Sequence, residues 1–105
     1  MKQEILRCKF SAEIPIVDAR NFLLLSILAT ESIHGHTSVR MNMRFYLDEE
    51  KHCCVFDVSN EVGTHASRIF TGFLSEQFGD ESFSIEKVEH EEKVESRLKR
   101  KVSIP

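Results

Sequence analysis

Three absences in this 105-residue chain limit what it can be. Its longest apolar run, Phe22–Ala29, is interrupted by Ser26 and is too short to span a bilayer. Its N-terminal residues alternate between charged and apolar types and lack the apolar core of a signal peptide. Its three cysteines, two of which are adjacent, cannot form a regular disulfide framework, which favours reduced thiols. We therefore expect a cytoplasmic protein that makes no membrane contact.

Two further absences concern chemistry. Basic residues are not in excess, and a net charge of −3 argues against a protein whose whole surface binds nucleic acid, although a local basic patch remains open. The nucleophile-elbow, zinc-protease, Walker and dinucleotide-binding motifs are all missing. We therefore expect no cofactor, and the pattern favours a non-enzyme.

The chain contains two similar halves, each with a strand-like run, a helical run and a second strand-like run. This βαββαβ order predicts an α+β ferredoxin-like sandwich, with a four-stranded antiparallel sheet in the order 4-1-3-2 and two helices on one face. We expect residues 1–90 to form one domain and the charge-rich residues 91–105 to be a frayed helix or a disordered tail. The predicted elements are Lys2–Ala12, Val17–Ser32, Val39–Leu47, Cys53–Val58, Val62–Phe78 and Ser82–His90.

Local signals indicate where these elements begin and end. Pro15 lies where the first helix can begin, and Gly35 lies where it should stop. Ser59 or Asn60 can cap the second helix, and Gly79 closes it. The second strand shows the clearest alternation, which directs one set of side chains to the core: Val39, Met41, Met43, Phe45 and Leu47.

The first helix is apolar around a wide arc. Ile16, Ala19, Leu23 and Ile27 define one face, and Leu25 projects nearly opposite to them. A helix with apolar residues this far round is usually covered on a second side. Either a second copy of the chain or the C-terminal tail could supply that cover, and we favour the second copy.

The sheet face that the two helices leave open is another candidate surface. Ile5, Cys53, Val55 and Val88 form an apolar centre inside a charged rim there, which is typical of an interface. The same face offers candidates for binding single-stranded nucleic acid, although Asp57 and Glu86 add negative charge and the RNP1 pattern of RNA-binding sheets is absent. Those candidates are Arg7, Lys9, Arg40, Arg44 and Tyr46.

Two histidines and one cysteine are weaker candidates for chemistry. His34 and His36 would point the same way on an extended strand and could share a metal ion. Because His52 lies at the far end of the predicted hairpin and cannot complete that cluster, we expect ordinary loop histidines and no metal site. A catalytic thiolate at Cys53 would need an electropositive neighbour, which Arg7 or Arg44 could provide.

These observations leave three functional hypotheses. The first is a non-enzymatic interaction or regulatory module that self-associates as a dimer or larger oligomer through Leu25 or through Ile5, Val55 and Val88. The second is single-stranded nucleic-acid binding through the basic sheet face. The third is a small enzyme that uses His34, His36 or Cys53. We favour the first, because both apolar surfaces support it.

Overall fold

The computed structural model describes residues 4–88, which form an α+β structure with one four-stranded antiparallel sheet and three helices. The strands are β1 (Ile5–Phe10), β2 (Phe45–Asp48), β3 (Cys53–Asp57) and β4 (Phe83–Val88). The helices are α1 (Ile16–His34), α2 (His36–Asn42) and α3 (Glu61–Phe78), and a short 3-10 turn (Asp80–Ser82) precedes β4. Within this part of the chain, no helix combines the length and apolar character needed to cross a bilayer.

The strand order is β2-β3-β1-β4, and each neighbouring pair is antiparallel. This is the predicted order read from the opposite edge. The central β1 strand places Cys8 opposite Cys54 of β3 and Ile85 of β4. All five residues of β3 are buried, and the strand pairs on both of its edges, with β2 and with β1.

The predicted ends of the two long helices are confirmed. α1 follows Pro15 and stops at Gly35, whose positive φ of 89° turns the chain out of the helix. The Asn60 side chain caps α3 by accepting a hydrogen bond of 2.9 Å from the backbone N–H of Gly63. α3 ends at Gly79, as expected.

The main core lies between the sheet and the two long helices. Phe70 of α3 is fully buried, and its ring centroid lies 5.5 Å from that of Phe56 and 6.5 Å from that of Phe10. On the outer part of α3, Phe73 is only partly buried and stacks on Phe22 of α1 with ring centroids 5.6 Å apart. The apolar residues of α3 therefore contact both the sheet and α1.

The prediction of one long second strand over Val39–Leu47 is wrong. Its first part belongs to α2, and only β2 pairs with β3. Val39 and Met43 are buried as predicted, because a spacing of four residues fits a helical turn as well as a strand. Met41, which the strand pattern directs to the core, is instead 69% exposed. β3 has five residues, so a nine-residue partner would extend beyond it.

The buried contacts of Phe70 predict a large loss of stability on truncation. Phe70→Ala should lower the free energy of unfolding by about 3–5 kcal/mol, because it removes a fully buried ring and leaves a cavity. Phe73→Ala should cost less, since its ring is partly exposed. Urea melts of both variants measure the difference. A loss below about 1 kcal/mol for Phe70→Ala would contradict this account of the core.

Two glycines of α3 should respond to alanine in opposite directions. Gly63 lies where α3 approaches β3 most closely, and an added Cβ would overlap the carbonyl oxygen of Asp57. Gly63→Ala should therefore destabilise the protein by about 1–3 kcal/mol or more. Gly72→Ala should stabilise it by about 1 kcal/mol, because nothing lies within 4 Å of its added Cβ and alanine favours a helix. Denaturant melts in which both variants shift the same way would contradict this packing.

Candidate interaction surfaces

The outward side of α1 carries exposed apolar side chains, and its inward side is partly polar. The inward side buries Ala19, Leu23 and Ile27 together with Ser26 and Thr30. Both hydroxyl groups are satisfied within the helix: Ser26 donates to the carbonyl oxygen of Leu23 at 2.8 Å, and Thr30 donates to that of Ser26 at 2.6 Å. Two polar residues can therefore be buried on the side where leucines are normally found.

The α1 outer stripe consists of residues that share the side of the helix away from the core. At 3.6 residues per turn these residues fall within an arc of about 100°, and none of them is charged. Its most exposed apolar members are Val17 (51%), Leu25 (46%) and Leu28 (52%). Leu25 thus lies on the side that the sequence predicts. The stripe comprises Val17, Asn21, Leu24, Leu25, Leu28 and Ser32.

The apolar centre of the open sheet face exists, but it offers little area to a partner. Ile5, Cys53 and Val55 pack together, and Tyr46 and Val88 pack against them. Ile5 is only 2% exposed and Val55 only 5% exposed. Ile5 and Val55 therefore contribute less accessible apolar surface than the α1 outer stripe.

Acidic side chains oppose the arginines of the open face. Arg7 Nη1 lies 3.0 Å from Glu86 Oε1, and Arg44 Nη1 lies 3.5 Å from Asp57 Oδ2. Asp48 also lies on this face, opposite Cys53. Because each arginine faces a carboxylate, the described part of this face presents no excess of positive charge to a phosphate backbone.

The other nucleic-acid candidates do not form one basic patch. The predicted position of Arg40 on the sheet is wrong, because residues 36–42 form α2 and Arg40 is exposed there. Lys9 is on the open face and exposed, and Tyr46 is partly buried against the apolar cluster. Arg40 is therefore separate from the candidates on the sheet, and among those Lys9 is the exposed one.

The three cysteines are buried and free. Burial raises the pKa of the Cys8 thiol to about 12 and holds that of Cys54 well above its usual range. Burial also raises the pKa of Cys53, and the nearby Asp48 carboxylate adds to that shift; Arg7 acts in the opposite direction but is outweighed. The environment of Cys53 therefore favours a protonated thiol and not a nucleophilic thiolate.

The same burial predicts that all three cysteines resist alkylation in the folded protein. Iodoacetamide at about pH 8 should add no label to the native chain, because reaction requires an accessible thiolate. After unfolding in urea, mass spectrometry should detect three adducts. Rapid native labelling of Cys53 alone would show that its thiol is accessible and ionised, and would support the enzyme hypothesis.

The histidines pair differently from the sequence-based hypothesis. His34 Nε2 lies 2.6 Å from His65 Nδ1 of α3, whereas His36 Nδ1 lies 2.7 Å from Glu31 Oε2. His34 and His36 therefore contact different groups. Between residues 4 and 88, no three histidine, cysteine, aspartate or glutamate side chains form a metal-binding group. Sequence reasoning missed the role of His65, because its contact with His34 depends on how α1 packs on α3.

An open groove of about 370 Å³ runs between α3 and β4. Leu6, Val58 and the 48%-exposed Ile85 supply its apolar lining. Ile85 lies on the helix side of the sheet, but β4 is an edge strand and leaves it accessible. The hydroxyls of Thr64 and Thr71 in this groove donate to backbone carbonyls of the α3 region, so they are not available as donors to a ligand.

Comparison with known proteins does not narrow the function. No protein-family model matches the chain, and no curated protein or solved structure matches it either. Of the large apolar side chains exposed in residues 4–88, three lie on the α1 outer stripe.

Proposed function

We propose that this protein is a non-enzymatic interaction module that self-associates through α1. The observation that carries the proposal is the α1 outer stripe, where Val17, Leu25 and Leu28 are each about half exposed. Burying a leucine contributes about 1.5–3 kcal/mol, and a two-fold axis repeats every contact. A few such side chains can therefore offset the free-energy cost of association.

The composition of the stripe favours a second copy as the partner. Its polar members, Asn21 and Ser32, are small and uncharged, and the charged Asp18 lies at its edge beside Leu25, so another helix can approach the centre of the stripe without burying an unpaired charge. The same stripe on a second copy has the apolar character needed to cover it. A phosphate backbone, in contrast, would find no cation along the stripe.

The flanking charges favour an antiparallel arrangement of the two copies of α1. Arg20 and Glu31 lie on the same flank of the stripe, near opposite ends of the helix. In an antiparallel pair related by a two-fold axis, Arg20 of one copy approaches Glu31 of the other. Within one chain Arg20 pairs with Glu49 at 2.5 Å and Glu31 pairs with His36. An ion pair as exposed as that of Arg20 and Glu49 contributes little to stability. Breaking it so that Arg20 can pair with Glu31 of the other copy therefore costs little.

The element order and the free cysteines support two further inferences, one about the fold and one about the compartment. We infer a ferredoxin-like arrangement in which α2 is an addition between α1 and β2. We also infer a cytoplasmic location, since three free thiols fit a reducing compartment. Single-stranded nucleic-acid binding through the open face remains the alternative, with less support because Arg7 and Arg44 face carboxylates.

A charge placed in the stripe should separate the copies. Leu25→Glu should convert a dimer to a monomer, because association would then bury a carboxylate without a partner. Ile85→Glu is a matched control: Ile85 is 48% exposed and Leu25 46%, but Ile85 lies in the groove beside α3. Sedimentation velocity at tens of micromolar measures the result. Val55→Glu is unsuitable, because Val55 is 5% exposed and a charge there would disturb the fold.

The outcomes distinguish the competing surfaces. A wild type that sediments as a monomer at this concentration would contradict the proposal. Dissociation by Ile85→Glu but not by Leu25→Glu would move the interface to the groove.

Fluorescence anisotropy with a single-stranded RNA oligonucleotide tests the alternative function, nucleic-acid binding. Salt-sensitive binding that is weakened by both Arg7→Ala and Lys9→Ala would favour that alternative.

A further inference from the structure

Two imidazole rings converge where the end of α1 meets the beginning of α3. His34 is the last residue of α1, and His65 lies in the second turn of α3. The Nε2 atom of His34 lies 2.6 Å from the Nδ1 atom of His65, and the ring centroids are 4.8 Å apart with an angle of 29° between the planes. Both side chains are partly buried. Each of the two residues therefore keeps part of its surface accessible to solvent.

Two histidines that bind one metal ion hold their nitrogens slightly farther apart than this pair does. Imidazole nitrogens bind zinc and similar ions at about 2.0–2.1 Å, which places two such ligands on one ion about 3 Å apart. At bond angles of about 90–109° on the ion the two nitrogens lie about 2.9–3.4 Å apart, so the observed 2.6 Å must widen by about 0.3–0.8 Å. Both rings must also turn toward the ion, because their facing nitrogens point almost directly at each other. In the hydrogen-bonded pair one of the two facing nitrogens carries a proton. Each neutral ring can carry its single proton on the nitrogen that faces away, which leaves both facing nitrogens free to coordinate.

We propose that His34 Nε2 and His65 Nδ1 form a two-histidine site for a divalent late transition-metal ion such as Ni²⁺, Cu²⁺ or Zn²⁺. Imidazole is a preferred ligand of these ions. No third histidine, cysteine or carboxylate joins the pair between residues 4 and 88, so water completes the coordination. The ion would link α1 to α3. This inference does not depend on self-association, because it rests on contacts within one chain.

Isothermal titration with Ni²⁺ alone tests the proposal on the full chain. The wild type should bind one ion per chain, and His34→Asn and His65→Asn should each weaken binding by about tenfold or more, because each removes one of the two ligands. His36→Asn is the matched control: His36 lies two residues from His34 but contacts Glu31, so its loss should leave binding unchanged. Ni²⁺ should also raise the melting temperature of the wild type and of His36→Asn only.

A measurement on the wild type keeps the proposal testable if either variant fails to fold. Paramagnetic Ni²⁺ should broaden the imidazole NMR signals of His34 and His65 before those of His36 and His52. The proposal is overturned if the wild type binds no stoichiometric Ni²⁺, or if His34→Asn and His65→Asn bind as tightly as the wild type. Loss of binding in His36→Asn but not in His65→Asn would instead assign the site to His34 and His36.

Discussion

The packing of α3 onto β3 and β1 positions the other surfaces of this protein. Phe70 lies fully buried between Phe10 and Phe56, and Gly63 allows the beginning of α3 to approach the end of β3. Because α3 is fixed on the sheet, its outer residues form the surface on which α1 packs. The stacking of Phe73 on Phe22 and the contact of His65 with His34 both follow from that placement.

The position of α1 explains why leucines face outward. Ser26 and Thr30 can be buried because their hydroxyls donate to backbone carbonyls of the same helix. Ser26 and Thr30 therefore fill positions on the buried side of α1, while Leu25 and Leu28 lie on its exposed side. A helix that is apolar on both sides is under-packed in a monomer, which is the physical basis for proposing a second copy as its partner.

On the open sheet face, acidic neighbours reduce the effect of the two arginines that suggest nucleic-acid binding. Arg7 and Arg44 suggest a basic surface when only residue types are considered. In the folded protein each faces a carboxylate, Glu86 from the neighbouring strand and Asp57 from β3. An arginine that already has an acidic neighbour contributes less to long-range attraction of phosphate, so the face resembles an ordinary solvated sheet surface more than a nucleic-acid platform.

Local sequence patterns were sufficient to determine the four-stranded sheet, the two long helices and the side of α1 on which Leu25 lies. These features follow from periodicity and from caps such as Asn60, which act over a few residues.

Tertiary structure decided the remaining features. Residues 36–42 form α2, so the strand predicted over Val39–Leu47 is reduced to β2, which pairs with β3. His34 meets His65 across 31 positions of sequence, and Arg7 meets Glu86 across 79. Such contacts depend on how the elements pack, and local pattern carries no information about that packing.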